Sequence, residues 1–211
     1  MKIKLGVIFG GVSVEHEVSV ITAIQAMNNI DTNRYDVIAI YITKDGDWYT
    51  GEMLKDIKIY SDMDLLKRYA NEVVLYKTGG RFILQSKGFL KREITEVDIC
   101  FPIMHGTNGE DGSIQGLLEM LKLPYAGCDV IAAGCGQDKS VMKHMLENSG
   151  LPLCPWIWIY GCDYDENKDE IKAKVAELGY PVVLKPACLG SSVGIVIAHS
   201  EEMCLSKPPM K

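Results

Sequence analysis

No stretch of the 211-residue sequence approaches the roughly 20 consecutive apolar residues of a membrane-spanning helix, so no transmembrane segment is predicted. Basic charge is scarce as well. With 22 Lys and Arg against 28 Asp and Glu, the net charge is -6, and no Lys/Arg-rich run interrupts the acidic balance. Nonspecific nucleic-acid binding is therefore not expected. The N-terminal apolar run, Leu5 to Phe9, is too short for a signal peptide and suits a first β-strand instead. The seven cysteines are an odd number and form no C-x-x-C pair, which argues for reduced thiols in a cytoplasmic protein over a disulfide framework or zinc site. His16, His105, His144 and His199 lie far apart and show no H-x-x-x-H spacing, so no histidine-based metal site is assigned. A G-x-G-x-x-G spacing is missing after the first apolar run, which removes the dinucleotide fingerprint.

What is present is the material of a globular α/β protein. Hydrophobic residues make up 47% and charged residues 24%, enough to build a core. Lys2 to Phe9 reads as a buried strand, Gly10-Gly11 as its turn, and Ser13 as the cap of a helix running to about Asn28 with Val18, Ile21 and Ala26 inward. Tyr35 to Ile42 is a second strand, so the chain opens with a parallel βαβ unit. Asp45-Gly46 marks a hairpin turn ahead of Trp48 and Tyr49. Leu65, Leu66 and Tyr69 suggest a short helix, and Gly79-Gly80 separates two short strand-like runs.

Val97 to Met104 is read as a strand ending at His105, followed by a loop with four glycines and two acids. Ser113 is expected to cap the next helix, with Ile114, Leu117, Leu118 and Leu121 at spacings of three and four. A glycine-rich loop leaving the carboxyl end of a strand and entering a helix is where open α/β sheets bind ligands. Glu110 and Asp111 are expected to brace this loop and cap its helix, since adjacent side chains point apart. A short strand at Leu123 to Gly127 precedes a link, Cys128 to Gly136, and Asp138 can cap a helix from Lys139 to Ser149. Trp156 to Tyr160 reads as a strand and Asn167 to Leu178 as a helix with Ile171, Val175 and Leu178 inward.

Two further apolar runs, Val182 to Leu184 and Ile195 to Ala198, flank Lys185-Pro186 and a small-residue loop, Gly190-Ser191-Ser192-Val193-Gly194. Glycine lets backbone approach an anion, amides and hydroxyls donate hydrogen bonds, and the lysine adds charge. A plain hairpin with a flexible tip is the alternative for the loop alone. Ser200-Glu201-Glu202 looks like a helix start, which Lys207-Pro208-Pro209 should stop after little more than a turn.

Three motifs in this order resemble the D-alanine–D-alanine ligases of the ATP-grasp superfamily: G-G-V-S-V-E-H-E-V-S at 10–19, H-G-T-N-G-E-D-G-S-I-Q-G at 105–116, and K-P-A-C-L-G-S-S-V-G at 185–194. Gln137-Asp138-Lys139 with Lys143 is similar to a fourth motif of that family. The resemblance implies an α/β fold with an N-terminal parallel-sheet domain over residues 1–127 and an incomplete α+β ATP-grasp subdomain over 128–211. It implies ATP-dependent joining of two D-alanine molecules for peptidoglycan, or of D-alanine to D-serine or D-lactate, with a non-catalytic nucleotide- or partner-binding module as the alternative.

By that resemblance Glu15 holds the ammonium of the first D-alanine, and His105 donates to its carboxyl and the acyl phosphate. Ser191 orients Glu15, while Lys139, Lys185 and Ser192 contact the ATP phosphates. Mg2+ is expected, with its ligands in a portion downstream of residue 211, together with the groups that grip adenine. A chain ending there is expected to be inactive alone, and a homodimer through the N-terminal domain is implied by resemblance only.

Overall fold

The computed structural model describes residues 1–164 and 166–205. The expected Lys207-Pro208-Pro209 stop lies outside these residues. The chain divides into two compact units, Met1–Gly134 and Cys135–Lys211, each described by itself below.

The first unit is built on a seven-stranded sheet in the order β6-β5-β4-β3-β2-β1-β7. Strands β1 (Ile3–Gly10) and β2 (Tyr35–Ile42) pair in parallel, joined through helix α1 (His16–Met27) as the βαβ pattern predicts. β7 (Ile99–Pro102), shorter than the Val97 to Met104 run, lies parallel on the other side of β1. The remaining strands extend the sheet in antiparallel fashion: β3 (Trp48–Thr50), β4 (Asn71–Thr78), β5 (Arg81–Ser86) and β6 (Glu93–Glu96). The turn expected at Asp45-Gly46 joins β2 to β3, and Gly79-Gly80 joins β4 to β5. Helix α2 (Met63–Tyr69) falls where Leu65, Leu66 and Tyr69 suggested one. No strand forms at Leu123 to Gly127, where a single parallel bridge links Tyr125 to Cys100.

The central strands are buried on both faces, as parallel strands between helices must be. Alternation distributes their side chains: Val7, Phe9, Val37, Ala39 and Tyr41 join α1 in one core, whereas Ile8, Ile38, Ile40 and Ile42 join Ile114 and Leu118 in the other. Ile114 and Leu118 belong to helix α3 (Ser113–Leu121). Each fully buried Ile, Leu or Phe contributes about 1.5–3 kcal/mol of apolar transfer, so the two layers fix where the strands end.

Helix α1 corrects one expectation. Val18 and Ile21 are exposed, and the inward face is His16, Ser19, Val20, Ala23, Ile24 and Met27. The N-terminal half of the helix docks against loop backbone, which requires polar partners rather than apolar ones.

Helix α4 (Val130–Gln137), where a link was expected, carries the division between the units. The second unit continues with α5 (Lys139–Leu146), α6 (Lys168–Leu178), a two-stranded antiparallel pair β8 (Val182–Leu184) and β9 (Val196–Ala198), and α7 (Glu201–Leu205). Its core is small: Tyr164, Ile171 and Val175, with Ile157, Ile159 and Val182 packed against them. Trp156 to Tyr160 is not a strand. Ile157 and Ile159 do face the core, but the segment forms no ladder among the described residues, and its other face carries Trp156 and Trp158 edge-on to His144.

Candidate functional site

The carboxyl ends of the adjacent parallel strands β1 and β7 deliver two loops side by side. After β1, the chain turns through Gly10 and Gly11, both at positive φ (84° and 98°). Gly11 N–H donates to the Ile42 carbonyl at 2.8 Å, which ties the loop to β2. Ser13 does not cap α1. Its Oγ instead accepts the Glu15 N–H at 3.1 Å, and Glu15 itself occupies the position before the helix. Glu15 is only 6% exposed, an unusual burial for a carboxylate, at the end of α1 where partial positive charge collects.

Ser19 joins the two strand ends. Its Oγ accepts the Gly10 N–H at 2.8 Å and donates to the Ile103 carbonyl. His16, beside Glu15, is a core residue: Nδ1 donates to the Gly11 carbonyl at 2.7 Å, and Nε2 lies 3.0 Å from the Tyr41 hydroxyl. Burial pushes the Tyr41 phenol up to about 12.

The second loop begins with His105. Its Nε2 lies 3.0 Å from Thr22 Oγ1 on α1, and its Nδ1 faces Glu110 Oε1 at 3.9 Å. Glu110 also accepts the Gly106 N–H at 2.8 Å. Asp111 accepts the N–H groups of Asn108 (2.8 Å) and Ser113 (3.0 Å). Burial opposes ionisation of Asp111, yet these donors hold its carboxyl below its ordinary value. The two acids thus brace the loop, as their adjacency suggested. Ser113 is not the cap of α3: Gly112, at φ 90°, precedes the helix, and Asp111 accepts from the first helical N–H.

Gly106 (φ 67°) is where the two loops touch. A β-carbon there would strike the Glu15 carboxylate and come within 2.8 Å of Ser13 Oγ. Glu15 and His105 are therefore brought together, on neighbouring strand ends, through the one residue that follows His105.

In the second unit, Asp138 caps α5, its Oδ1 accepting from Ser140 N (2.8 Å) and Val141 N (3.1 Å). The Lys139 ammonium donates to the carbonyls of Leu189 (2.6 Å) and Ala187 (3.2 Å). Gln137 Nε2 donates to the Cys188 carbonyl at 3.1 Å. The start of α5 is thereby stitched to the loop that follows Lys185. Lys185 leaves the end of β8 and is exposed. Ser191 and Ser192 both adopt left-handed backbone (φ 47° and 61°), closing turns in which Val193 N–H donates to the Gly190 carbonyl and Ile195 N–H to that of Ser192. Lys139 and the loop bearing Lys185, Ser191 and Ser192 are brought together.

Reading the sequence assigned no role to Ser19 and Gln137, although both fall in the quoted motifs, and it missed Thr22. Ser19 and Thr22 stand four and seven residues after Glu15, a helical spacing that puts them on one face with it; that signal was available but was overridden by the apolar Val18 and Ile21. Among the described residues there is no group of three or more His, Cys, Asp or Glu able to hold a metal ion. The resemblance places the magnesium ligands downstream of residue 211, and no step is derived through that ion. No helix among them is long and apolar enough to cross a membrane.

Comparison with known proteins gives this geometry its context. Residues 4–128 match the family model for the D-ala D-ala ligase N-terminus, and 145–206 match that for the D-ala D-ala ligase C-terminus. The D-alanine--D-alanine ligase of Staphylococcus epidermidis is 43% identical over 203 residues, covering 95% of this chain and 54% of the relative. The solved VanG D-Ala:D-Ser ligase from Enterococcus faecalis superposes with a TM-score of 0.79 at 31% identity, covering 98% of this chain and 58% of that one. The D-alanine--D-alanine ligase from Bacillus anthracis complexed with ATP gives 0.64 at 27% identity, covering 98% and 51%. The chain spans about half the length of the curated relatives it matches. With two matching family models in order along an α/β fold, the chain belongs to the D-alanine–D-alanine ligase family.

Proposed function

We propose that these residues supply the first-amino-acid and phosphate-handling portion of an ATP-dependent ligase that makes D-alanyl-D-alanine for peptidoglycan. The carboxylate of one D-alanine attacks the γ-phosphate of ATP, giving an acyl phosphate and ADP. The amine of a second D-alanine then displaces phosphate and forms the amide. Such chemistry depends mainly on positioning and charge neutralisation.

In this reading residues 1–127 bind the first D-alanine and 128–211 form the first ATP-grasp subdomain. Glu15 holds the ammonium, His105 donates to the carboxyl and acyl phosphate, and Ser191 orients Glu15. Lys139, Lys185 and Ser192 take the phosphates, with Lys139 exchanging the loop carbonyls it now holds for phosphate oxygens. The observation that carries the reading is the buried Glu15 carboxylate set against Gly106, one residue from His105, at the ends of adjacent parallel strands.

Roles for adenine, ribose and magnesium are assigned to no residue of this chain, so the 211 residues alone are expected to release no phosphate from ATP and D-alanine. Joined to the remaining portion of the Staphylococcus epidermidis ligase, they are expected to form the dipeptide with ATP, and a Glu15→Gln version to lose at least about a hundredfold in kcat/KM. A joined protein that consumes ATP only when D-serine or D-lactate is the second substrate would favour the second reading, whose D-serine form the likeness to VanG supports. No ATP-dependent chemistry in the joined protein would favour a non-catalytic module. Dimerisation through residues 1–127 belongs to the same proposal and is measured by light scattering.

A further inference from the structure

Thr22 lies on the second turn of α1 and belongs to none of the motifs. Its hydroxyl has one hydrogen and three neighbours: the Val18 carbonyl at 2.9 Å, the Ser19 carbonyl at 3.2 Å and His105 Nε2 at 3.0 Å. The two carbonyls can only accept, and back-bonding to the carbonyl four residues earlier is the habit of a helical threonine. An imidazole nitrogen can donate instead. The shortest of the three contacts is to Val18, so the hydroxyl hydrogen goes there and the Thr22 oxygen is left as an acceptor for His105.

The other ring nitrogen is placed differently. Nδ1 stands 3.9 Å from Glu110 Oε1, too far for a hydrogen bond. Glu110 is itself held, through its other oxygen, by the Gly106 N–H at 2.8 Å.

We infer that Thr22 is a positioning residue that fixes His105 as the Nε2–H tautomer. Nε2 then keeps its hydrogen in both protonation states, and Nδ1 is the atom at which His105 gains or gives up a proton, with the Glu110 carboxylate facing the cation. Which ring nitrogen carries the proton is set by the bond the other one makes. The catalytic use of this arrangement rests on the function proposed above; the tautomer itself does not.

The test separates the two. In the 15N-labelled 211-residue chain, held well above the ordinary imidazole pKa of about 6.5, long-range proton–nitrogen correlation reads each histidine's tautomer, and a His105→Gln variant identifies the signal. His105 is expected to show a protonated, pyrrole-type Nε2 and an unprotonated, pyridine-type Nδ1. Thr22→Val, judged folded by its amide spectrum, should shift His105 to a mixture of tautomers, and Thr22→Ser should restore the single form. An Nδ1–H tautomer in the unaltered chain, or identical His105 signals with and without the Thr22 hydroxyl, overturns the assignment.

In the joined ligase, Thr22→Val should lower kcat roughly tenfold to a hundredfold with KM for ATP unchanged. An unchanged kcat despite a changed tautomer overturns the catalytic use alone. An inactive parent ligase counts against the proposed function and leaves the tautomer to the spectrum.

Discussion

The first unit closes a core on each face of its sheet, whereas the second, among the described residues, rests on a small cluster of Tyr164, Ile171 and Val175, with Ala198 of β9 also buried. The functional loops follow the same division. Around Glu15 and His105, three side chains hold the loop backbone: Ser19 between Gly10 and Ile103, Glu110 on Gly106, Asp111 on Asn108. Around Lys185 to Gly194, the ties come chiefly from the start of α5, and Ser191 and Ser192 hold left-handed backbone at an exposed turn. The comparison teaches that one group of candidate residues is braced by side chains of α1 and its own loop, and the other by the start of the helix beside it.

The largest test of this contrast is in the cores. Leu118→Ala, at a fully buried position, should cost about 3–5 kcal/mol, and Ile171→Ala in the thinner core about 2 kcal/mol, as read by denaturant unfolding. Equal losses would erase the difference. A smaller effect is expected at Gly106, where alanine must adopt φ 67° and displace the Glu15 carboxylate. About 1–2 kcal/mol is expected from the backbone alone, together with weakened D-alanine binding by calorimetry. In the second unit, Asp138→Ala removes the α5 cap and should cost about 1 kcal/mol of thermal stability.

The pH dependence of the same residue sharpens the contrast. Bonds from the Ser140 side chain above all, then from the Val141 and Ser140 N–H groups, hold the Asp138 carboxyl below its ordinary value of 3.8. A carboxyl lowered in the folded state stabilises fully above its unfolded value and loses that contribution as pH falls through the lowered one. Acid unfolding of the second unit should therefore begin below about pH 3.8 and flatten in Asp138→Asn, measured by the fluorescence of Trp156 and Trp158 in a Trp48→Phe background.

Much of the frame was legible because it is written in local pattern. The β-prone runs at 2–9 and 35–42, the glycine turn after the first, the Asp45-Gly46 hairpin and the Asp138 cap each carry their own geometry. The four motifs located the candidate residues for the same reason. What was not legible depends on neighbours distant in sequence. Val18 and Ile21 read as core, yet the inward face of α1 meets loop backbone and takes Ser19 and His16 instead. Trp156 to Tyr160 has the alternation of a strand, but alternation records which side chains are buried, not whether a partner strand is present. Ser13 and Ser113 look like caps, but Glu15 takes the position before α1, and Ser113 is already the first residue of α3, its N–H held by Asp111.

The most direct measurement is a titration of D-alanine into the 15N-labelled chain, followed at His105, Gly106, Ser19 and the residues flanking Glu15. Shifts that saturate at all of these, and that disappear in Glu15→Gln, are the result expected of a preformed site for the ammonium of an amino acid. Signals that stay put up to saturating D-alanine, or that move equally in Glu15→Gln, would contradict it.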